Sequence, residues 1–178
     1  MPMRAFLFPG QGSQSPGMGK ALAEASAAAK SVFEEVDDAL SQKLSTLMFE
    51  GPADELTLTA NAQPAIMAHS LAVLRVMEAE AGLVLSERAA FVAGHSLGEY
   101  SALCAAGSLN LADTARLLRV RGDAMQAAVP VGEGAMAALL GLSFEDAMAA
   151  AREATTAEEI CVAANDNADG QVVVSGHK

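Results

Sequence analysis

A serine flanked by glycines is the clearest candidate for chemistry in this sequence. It lies in the segment Gly94-His95-Ser96-Leu97-Gly98, which has the Gly-x-Ser-x-Gly spacing of a nucleophile elbow. In such an elbow a strand turns sharply into a helix, so the serine hydroxyl stands clear of the sheet where the helix dipole favours negative charge. A glycine-rich turn whose serine only caps the helix would show the same pattern.

The stretches on either side of the serine are those that an elbow requires. Apolar residues 89–93 predict a buried parallel strand before it, and the small residues 101–106 predict a helix packed tightly on a sheet after it. A first strand of the same sheet is predicted at residues 3–8, where an apolar run ends at Pro9. These patterns predict an α/β fold with a parallel sheet.

The loop over residues 9–19 is dense in glycine and follows the first predicted strand. It does not fit a phosphate-binding loop, because Gln14 occupies the position where that motif requires glycine. A better use is to bring the backbone N–H of Gln11 beside the serine as one oxyanion donor, with the N–H of Leu97 as the other. A flexible connector is the alternative interpretation.

Helices are predicted to cover the sheet. One or two are expected over residues 21–47, which carry an apolar stripe, and a short helix or turn over residues 54–59. A further helix is predicted over residues 65–81, with Pro64 at its first turn and Gly82 at its end. His69 lies beside the apolar face of that helix and is interpreted as a packing residue rather than a base.

The helix predicted over residues 111–128 carries three arginines of different character. Arg116 can pair with Asp113 one turn back, as a surface residue. Arg119 can pair in the same way with Asp123 one turn on. Arg121 instead shares a stripe with apolar side chains, where a guanidinium requires an anionic partner. That partner is either a structural carboxylate or a substrate carboxylate gripped through two parallel hydrogen bonds.

The pattern of predicted helices and strands changes at residue 129, which predicts a second, smaller subdomain. A loop and strand are expected over residues 131–142, a helix from Ser143 to about residue 154, and strands at 160–164 and 171–175 around a turn at 165–170. The order β-α-β-β is an incomplete ferredoxin-like unit. We therefore expect a large subdomain over residues 1–128 and a small one over 129–178, both incomplete.

The charge, the apolar runs and the cysteine and histidine content of the sequence argue against several kinds of partner and against a metal site. The net charge of −11 argues against nucleic acid or an anionic membrane as the main partner. No apolar run approaches the length of a membrane span and no secretory leader opens the sequence, so a cytoplasmic location is expected. Cys104 and Cys161 are interpreted as reduced thiols, and the scattered histidines and cysteines predict no metal site.

Several ordered motifs together resemble the N-terminal part of the bacterial malonyl-CoA:acyl carrier protein transacylase family. They are Pro9-Gly10-Gln11-Gly12-Ser13-Gln14, Ala62-Gln63-Pro64, the serine segment continued by Glu99-Tyr100, Arg121-Gly122 with Met125, and residues 165–176. The resemblance covers the whole sequence. It implies an α/β-hydrolase-like parallel sheet with an elbow serine, and a ferredoxin-like small subdomain inserted in it.

The resemblance also implies roles for individual residues. The nucleophile falls on Ser96, the arginine that binds the substrate carboxylate on Arg121, and the oxyanion-hole donors on the backbones of Gln11 and Leu97. Three residues are expected to line the pocket further, namely Gln63, His95 and Met125. No metal and no cofactor are implied, since malonyl-CoA is a substrate.

The implied activity is transfer of a malonyl group from CoA to the phosphopantetheine thiol of acyl carrier protein, through a malonyl-serine, in fatty acid biosynthesis. Malonyl-CoA and the carrier would be the partners, and Arg116 and Arg119 are candidates for an exposed carrier-docking patch.

One departure from the family concerns the general base. The family's catalytic histidine follows the small subdomain, whereas this sequence has only His69, His95 and His177, none of them well placed as a base. We therefore expect a truncated chain that is inactive on its own. The alternatives are an inactive fragment or carrier-binding module, and a serine esterase with the same elbow.

Overall fold

The computed structural model describes residues 4–129 and 132–178. The chain divides into two compact units, Met1–Gln126 and Ala127–Lys178. Met3 of the first predicted strand, and Pro130 and Val131 at the start of the second predicted subdomain, lie outside the described residues. The fold is α/β, with a parallel sheet and helices as predicted.

The first unit is mainly helical around a short sheet. Its elements in chain order are β1 (Ala5–Phe8), α1 (Lys20–Ala25), α2 (Ala27–Leu40), α3 (Leu44–Glu50), α4 (Ala53–Thr57), α5 (Thr59–Ala81), α6 (Leu85–Arg88), β2 (Phe91–Gly94), α7 (Gly98–Ala105) and α8 (Leu111–Ala128). The last helix continues two residues into the second unit.

Strands β1 and β2 pair in parallel, with Ala5 opposite Phe91 and Phe8 opposite Gly94. Their carboxyl ends therefore lie at the same edge, where the glycine-dense loop and the serine segment both begin. The parallel pairing was predicted, but the prediction of a fully buried strand is wrong. Leu7 is 76% exposed and Phe91 is 64% exposed, because only one face of this sheet packs against helices of the described chain.

The core of the first unit lies between these helices and the inner face of the sheet. The region predicted as one or two helices over residues 21–47 forms three. Ser26 is extended (φ −133°) and Ser41 is left-handed (φ 50°), so the helical path is interrupted at both. The apolar stripe predicted there packs into a core whose largest fully buried apolar side chains are Leu44, Met48, Leu56, Ile66, Met67, Leu71, Leu97, Leu118 and Val36.

Helix α5 begins at Thr59, six residues before its predicted start, and Pro64 lies inside it. Proline disfavours helix in the residue before it and lacks a donor, which is why the sequence indicated a later start. Tertiary packing overrides that preference. The backbone N–H groups of Asn61 and Ala62 both donate to the Leu58 carbonyl at 2.8 Å and so begin the first turn. Gln63 is therefore a helical residue.

The second unit is an antiparallel sheet with one helix. Strands β3 (Gly134–Leu140) and β4 (Cys161–Ala168) flank β5 (Gln171–His177), and α9 (Phe144–Ala154) lies between β3 and β4 in sequence. The predicted cap is confirmed, since the Ser143 hydroxyl accepts a hydrogen bond from the Asp146 N–H at 3.1 Å.

The turn predicted over residues 165–170 is wrong in extent. Residues 165–168 belong to β4, and only Asp169 and Gly170 form the turn. The pairing register shifts between Ala163 and Asn165 and again between Asp166 and Ala168. Such bulges absorb the extra residues, so polar Asn and Asp side chains occupy strand positions that their turn preference argued against.

Two further observations concern the residues that the structure describes. No helix there has both the length and the apolar composition that crossing a bilayer requires. Within the same ranges, no three His, Cys, Asp or Glu side chains converge as metal ligands would.

A cleft of about 370 Å³ runs between β1 and α5 and is lined mainly by apolar side chains. His69 lies on its wall. Burial lowers the pKa of His69 below its ordinary value of 6.5, because the charged imidazolium is poorly solvated there. The histidine is therefore mostly neutral at pH 7.

His69→Gln is expected to reduce the loss of stability in mild acid. Because the folded pKa is lowered, the unfolded chain binds the proton more readily, so this contribution to stability is intact above about pH 6.5 and is lost as pH falls below it. The free energy of unfolding, measured in urea from pH 7.5 to pH 5, tests this. An equal pH dependence in wild type and variant would contradict it.

Ser101→Ala is expected to raise the free energy of unfolding by about 1 kcal/mol. Ser101 is fully buried, and its hydroxyl has no hydrogen-bond partner among the described residues. Thr114→Val is the matched control, because the buried Thr114 hydroxyl donates to the Asn110 carbonyl at 2.7 Å and its removal should be destabilising. Urea unfolding measures both. Destabilisation of the Ser101 variant to the same extent as the control would refute the assignment.

Candidate active site

Ser96 lies at a sharp turn between β2, which ends at Gly94, and α7, which begins at Gly98. Its φ of 55° is in the left-handed region, which non-glycine residues rarely adopt. Backbone strain of this kind costs roughly 1–3 kcal/mol and persists where the surrounding structure enforces it. Ser96 as a whole is half-buried.

Both flanking glycines are required by close backbone contacts. A Cβ atom on Gly94 would lie 1.9 Å from the Gly98 carbonyl carbon, and one on Gly98 would lie 2.4 Å from the Phe8 carbonyl oxygen. The second contact places the start of α7 directly against the end of β1. A side chain at either glycine would therefore overlap with neighbouring backbone atoms.

Two backbone N–H groups are available near this turn. The Leu97 N–H follows Ser96 directly, and Leu97 is fully buried. The loop that carries Gln11 packs on the same turn, since a Cβ on Gly10 would lie 2.8 Å from His95 Nδ1 and 3.1 Å from the His95 carbonyl oxygen. Within residues 4–129 and 132–178, neither the Gln11 nor the Leu97 N–H donates to a protein acceptor.

Arg121 reaches Ser96 from α8. Its Nη2 donates to Ser96 Oγ at 3.1 Å, and its Nη1 donates to Gln63 Oε1 at 2.6 Å. The guanidinium carbon also lies 5.9 Å from the centre of the Tyr100 ring, which is within cation–π range. Both hydrogen-bond partners are neutral. No Asp or Glu oxygen of the described residues lies within 4.0 Å of this guanidinium.

The partners of Arg121 bear on the two alternatives left by the sequence. A structural carboxylate was one of them, and the described chain supplies none. An amide and a hydroxyl accept hydrogen bonds from the half-buried cation without neutralising it. The described residues therefore bring a hydroxyl and an unneutralised cation within 3.1 Å of each other.

Gln63 is fully buried, and both ends of its amide are occupied. Its Oε1 accepts from Arg121, and its Nε2 lies 3.3 Å from Met125 Sδ in donor geometry. Met125 itself is 45% exposed. Both residues therefore lie next to Arg121, and their role in lining a pocket stays a prediction.

Helices α5 and α8 approach each other closely at this point. A Cβ on Gly122 would lie 2.7 Å from Ala60 Cα and 2.9 Å from the Thr59 carbonyl oxygen. Gln126 Oε1 accepts from the Ala60 N–H at 3.4 Å. This approach sets the distance from α8 to the first turn of α5, and hence the reach of Arg121 to Gln63.

The other two arginines of α8 differ from one another. Arg116 is exposed and pairs with Asp113 at 3.0 Å, as predicted. The prediction for Arg119 is wrong, because it is half-buried and donates to Asn61 and Gln42 instead of pairing with Asp123. Burial lowers the pKa of Arg119, partly offset by the charge of Asp123. The helical spacing to Asp123 was right, but α5 and the connection between α2 and α3 supply the acceptors Asn61 and Gln42, which spacing cannot reveal.

The three histidines have separate environments. His95 is exposed at the turn, and its backbone N–H donates to the Phe8 carbonyl at 3.2 Å. His69 lines the cleft beside β1. His177 Nδ1 accepts from the Ile160 N–H at 3.0 Å in the second unit. The hydrogen bond that Ser96 Oγ receives comes from Arg121.

Two residues of the site were not singled out from the sequence. Thr59 Oγ1 accepts from Gln11 Nε2 at 3.2 Å and ties the glycine-dense loop to α5. Tyr100 lies under the guanidinium of Arg121. Its position one helical turn after Ser96 was a usable signal, whereas nothing in the sequence linked Thr59 to Gln11.

The chain is similar in sequence and in structure to known proteins. Residues 5–178 match the acyl transferase domain family. The chain is 52% identical over 172 residues to a malonyl CoA-acyl carrier protein transacylase of Bacillus subtilis, covering 97% of this chain and 53% of that protein.

Two solved structures are also similar. The acyl-carrier-protein-S-malonyltransferase of Bartonella henselae is 64% identical with a TM-score of 0.90, over 98% of this chain and 55% of that one. A malonyl-transacylase in complex with a type II PKS acyl-carrier protein is 41% identical with a TM-score of 0.87, over 99% and 56%.

The chain spans about half the length of these relatives. The family match extends over nearly all of the 178 residues and includes Ser96, Arg121 and both units. This chain belongs to the acyl transferase domain family.

Proposed function

We propose that these residues form the N-terminal part of a malonyl-CoA:acyl carrier protein transacylase of fatty acid biosynthesis. The protein would move a malonyl group from CoA to the phosphopantetheine thiol of acyl carrier protein through a malonyl-serine at Ser96. The observation that carries the proposal is the contact between Arg121 and Ser96 Oγ at 3.1 Å, with no carboxylate of the described chain on that guanidinium. Names of the similar proteins point the same way.

In the first half of the reaction Ser96 Oγ attacks the thioester carbonyl carbon. The carbonyl oxygen becomes an oxyanion held by the N–H groups of Gln11 and Leu97, and the CoA thiolate then leaves. The left-handed backbone of Ser96 between β2 and α7 supports a turn that directs the hydroxyl toward those donors. By resemblance to the family, the base that takes the hydroxyl proton is a histidine that follows the small subdomain.

Arg121 explains why the acyl group should be a short dicarboxylic one. In a malonyl group a single methylene separates the acyl carbon from the free carboxylate. When the acyl carbon is bonded to Ser96 Oγ, that carboxylate lies within the reach of a guanidinium that contacts the same oxygen. A charged acceptor forms a stronger hydrogen bond than a neutral hydroxyl, so the carboxylate displaces Ser96 as the acceptor of Arg121 Nη2.

In the second half the carrier thiol attacks the malonyl-serine, and Ser96 leaves with its proton restored. The structure of a similar transacylase in complex with an acyl-carrier protein supports this choice of acceptor. Arg116 remains an exposed candidate for carrier docking, whereas Arg119 is engaged by Asn61 and Gln42. We expect the reaction to take place in the cytoplasm, where CoA thioesters are used.

We also propose the finer fold assignments. The parallel strands followed by the serine turn and α7 support an α/β-hydrolase-like large subdomain over about residues 1–128. The strand order β3-β5-β4, with α9 connecting β3 to β4, supports a ferredoxin-like small subdomain over about residues 129–178. A serine esterase is disfavoured, because a neutral ester would leave Arg121 without an anion.

The 178-residue chain is expected to form a stable malonyl-serine slowly when it is incubated with malonyl-CoA. Oxyanion donors and substrate binding retain part of the catalysis when a base is missing, and the same absence prevents turnover. Intact-mass spectrometry should show one malonyl group added, and Ser96→Ala should remove the adduct. An adduct that persists in Ser96→Ala would exclude Ser96 as the nucleophile. The absence of any adduct in wild type would favour the inactive-fragment alternative.

Arg121→Ala is expected to lower the preference for malonyl-CoA over acetyl-CoA by about one to two orders of magnitude. A charge-assisted hydrogen bond contributes roughly 1.5–3 kcal/mol, and only the malonyl group forms it. Rates of adduct formation with each thioester measure the ratio. Arg116→Ala is the matched control on the same helix and should leave the ratio unchanged. Equal losses with both thioesters would exclude carboxylate binding by Arg121.

A further inference from the structure

The buried amide of Gln63 has an orientation that its surroundings dictate. Arginine offers only donors, and the thioether sulfur of Met125 can only accept. With Oε1 toward Arg121 at 2.6 Å and Nε2 toward Met125 Sδ at 3.3 Å, both ends of the amide have partners. The reversed amide would place an NH2 group against the guanidinium. Gln63 therefore presents a fixed, neutral acceptor to Arg121.

Arg121 has three partners. Gln63 accepts from Nη1, Ser96 accepts from Nη2, and the guanidinium carbon lies 5.9 Å from the centre of the Tyr100 ring. A free arginine side chain loses about 2 kcal/mol of rotamer entropy when it is fixed. Holding it before the ligand arrives removes part of that cost from binding.

The charge of the acceptor matters as much as its position. A glutamate at position 63 would also fix the guanidinium, but as a buried ion pair that satisfies the cation within the protein. A glutamine fixes the guanidinium and leaves its charge available.

We propose that Gln63 is a positioning residue for carboxylate recognition, holding Arg121 beside Ser96 without neutralising it. This inference rests on the proposed function and adds to it the residue that makes Arg121 selective. Met125 acts behind Gln63 by occupying the other end of its amide.

The test compares Gln63→Leu, which removes the acceptor, with Gln63→Glu, which keeps an acceptor but adds a charge. Rates of Ser96 adduct formation are measured with malonyl-CoA and acetyl-CoA. Gln63→Leu should lower the malonyl preference by about 5- to 30-fold, the equivalent of one or two kcal/mol. Gln63→Glu should lower it by about 10- to 100-fold, and in both variants the malonyl rate should fall more than the acetyl rate.

Gln42 provides matched controls, because its side chain accepts a hydrogen bond from Arg119. Arg119 lies on α8, as Arg121 does, but its hydrogen bonds go to Gln42 and Asn61. Gln42→Leu and Gln42→Glu should leave the malonyl preference unchanged. Thermal unfolding and circular dichroism confirm that each variant is folded. A folded Gln63→Glu protein that keeps the wild-type preference would overturn the proposal, as would equal losses with both thioesters in Gln63→Leu.

A second readout does not depend on acylation. The side-chain ¹⁵N–¹H resonances of Arg121 are followed by NMR during titration with monomethyl malonate, with methyl acetate as the uncharged comparison. Slowly rotating, ligand-responsive resonances are expected in wild type and in the Gln42 variants. Gln63→Leu should lose the slow rotation, and Gln63→Glu should keep it but lose the response to monomethyl malonate.

The two readouts separate this proposal from the proposed function. If wild type forms no malonyl adduct, the proposed function fails, and the NMR titration alone then decides whether Gln63 positions Arg121 for a carboxylate. If wild type forms the adduct with an Arg121-dependent preference and the Gln63 variants behave as wild type, only the positioning role fails.

Discussion

A half-buried positive charge without a counter-ion in the described chain is the constraint that the first unit is arranged around. Arg121 lies on the side of α8 that faces α5 and α7, where a guanidinium is costly unless its donors are used. The protein satisfies those donors with an amide, a hydroxyl and an aromatic face. Since all three are neutral, no residue of the described ranges neutralises the charge.

The first turn of α5 is where the parts of the site are assembled. Thr59 binds the side chain of Gln11, Ala60 lies against Gly122, Asn61 accepts from Arg119, and Gln63 accepts from Arg121. Within one and a half helical turns, α5 thus fixes both the glycine-dense loop and α8. The early start of this helix, despite Pro64, is what makes those contacts available.

Much of this arrangement could be predicted from the sequence, and the reasons differ by residue. The serine turn, the parallel strand pair and the full extent of α8 follow from local rules that depend on neighbours in sequence. Arg121 was distinguished from Arg116 and Arg119 because it shares a stripe of the helix with apolar side chains. The partners of Arg119, the start of α5 and the link from Gln11 to Thr59 depend on contacts between distant segments, which no spacing rule encodes.

The backbone contact between Gly98 and the Phe8 carbonyl has a consequence for how this site can change over evolution or by engineering. It joins the beginning of α7 to the beginning of the loop that carries Gln11, so the proposed nucleophile and both proposed oxyanion donors lie within three residues of this contact. A change there disturbs all three together. The proposed carboxylate recognition instead depends on side chains of α8 and α5, which can be replaced without touching this backbone contact.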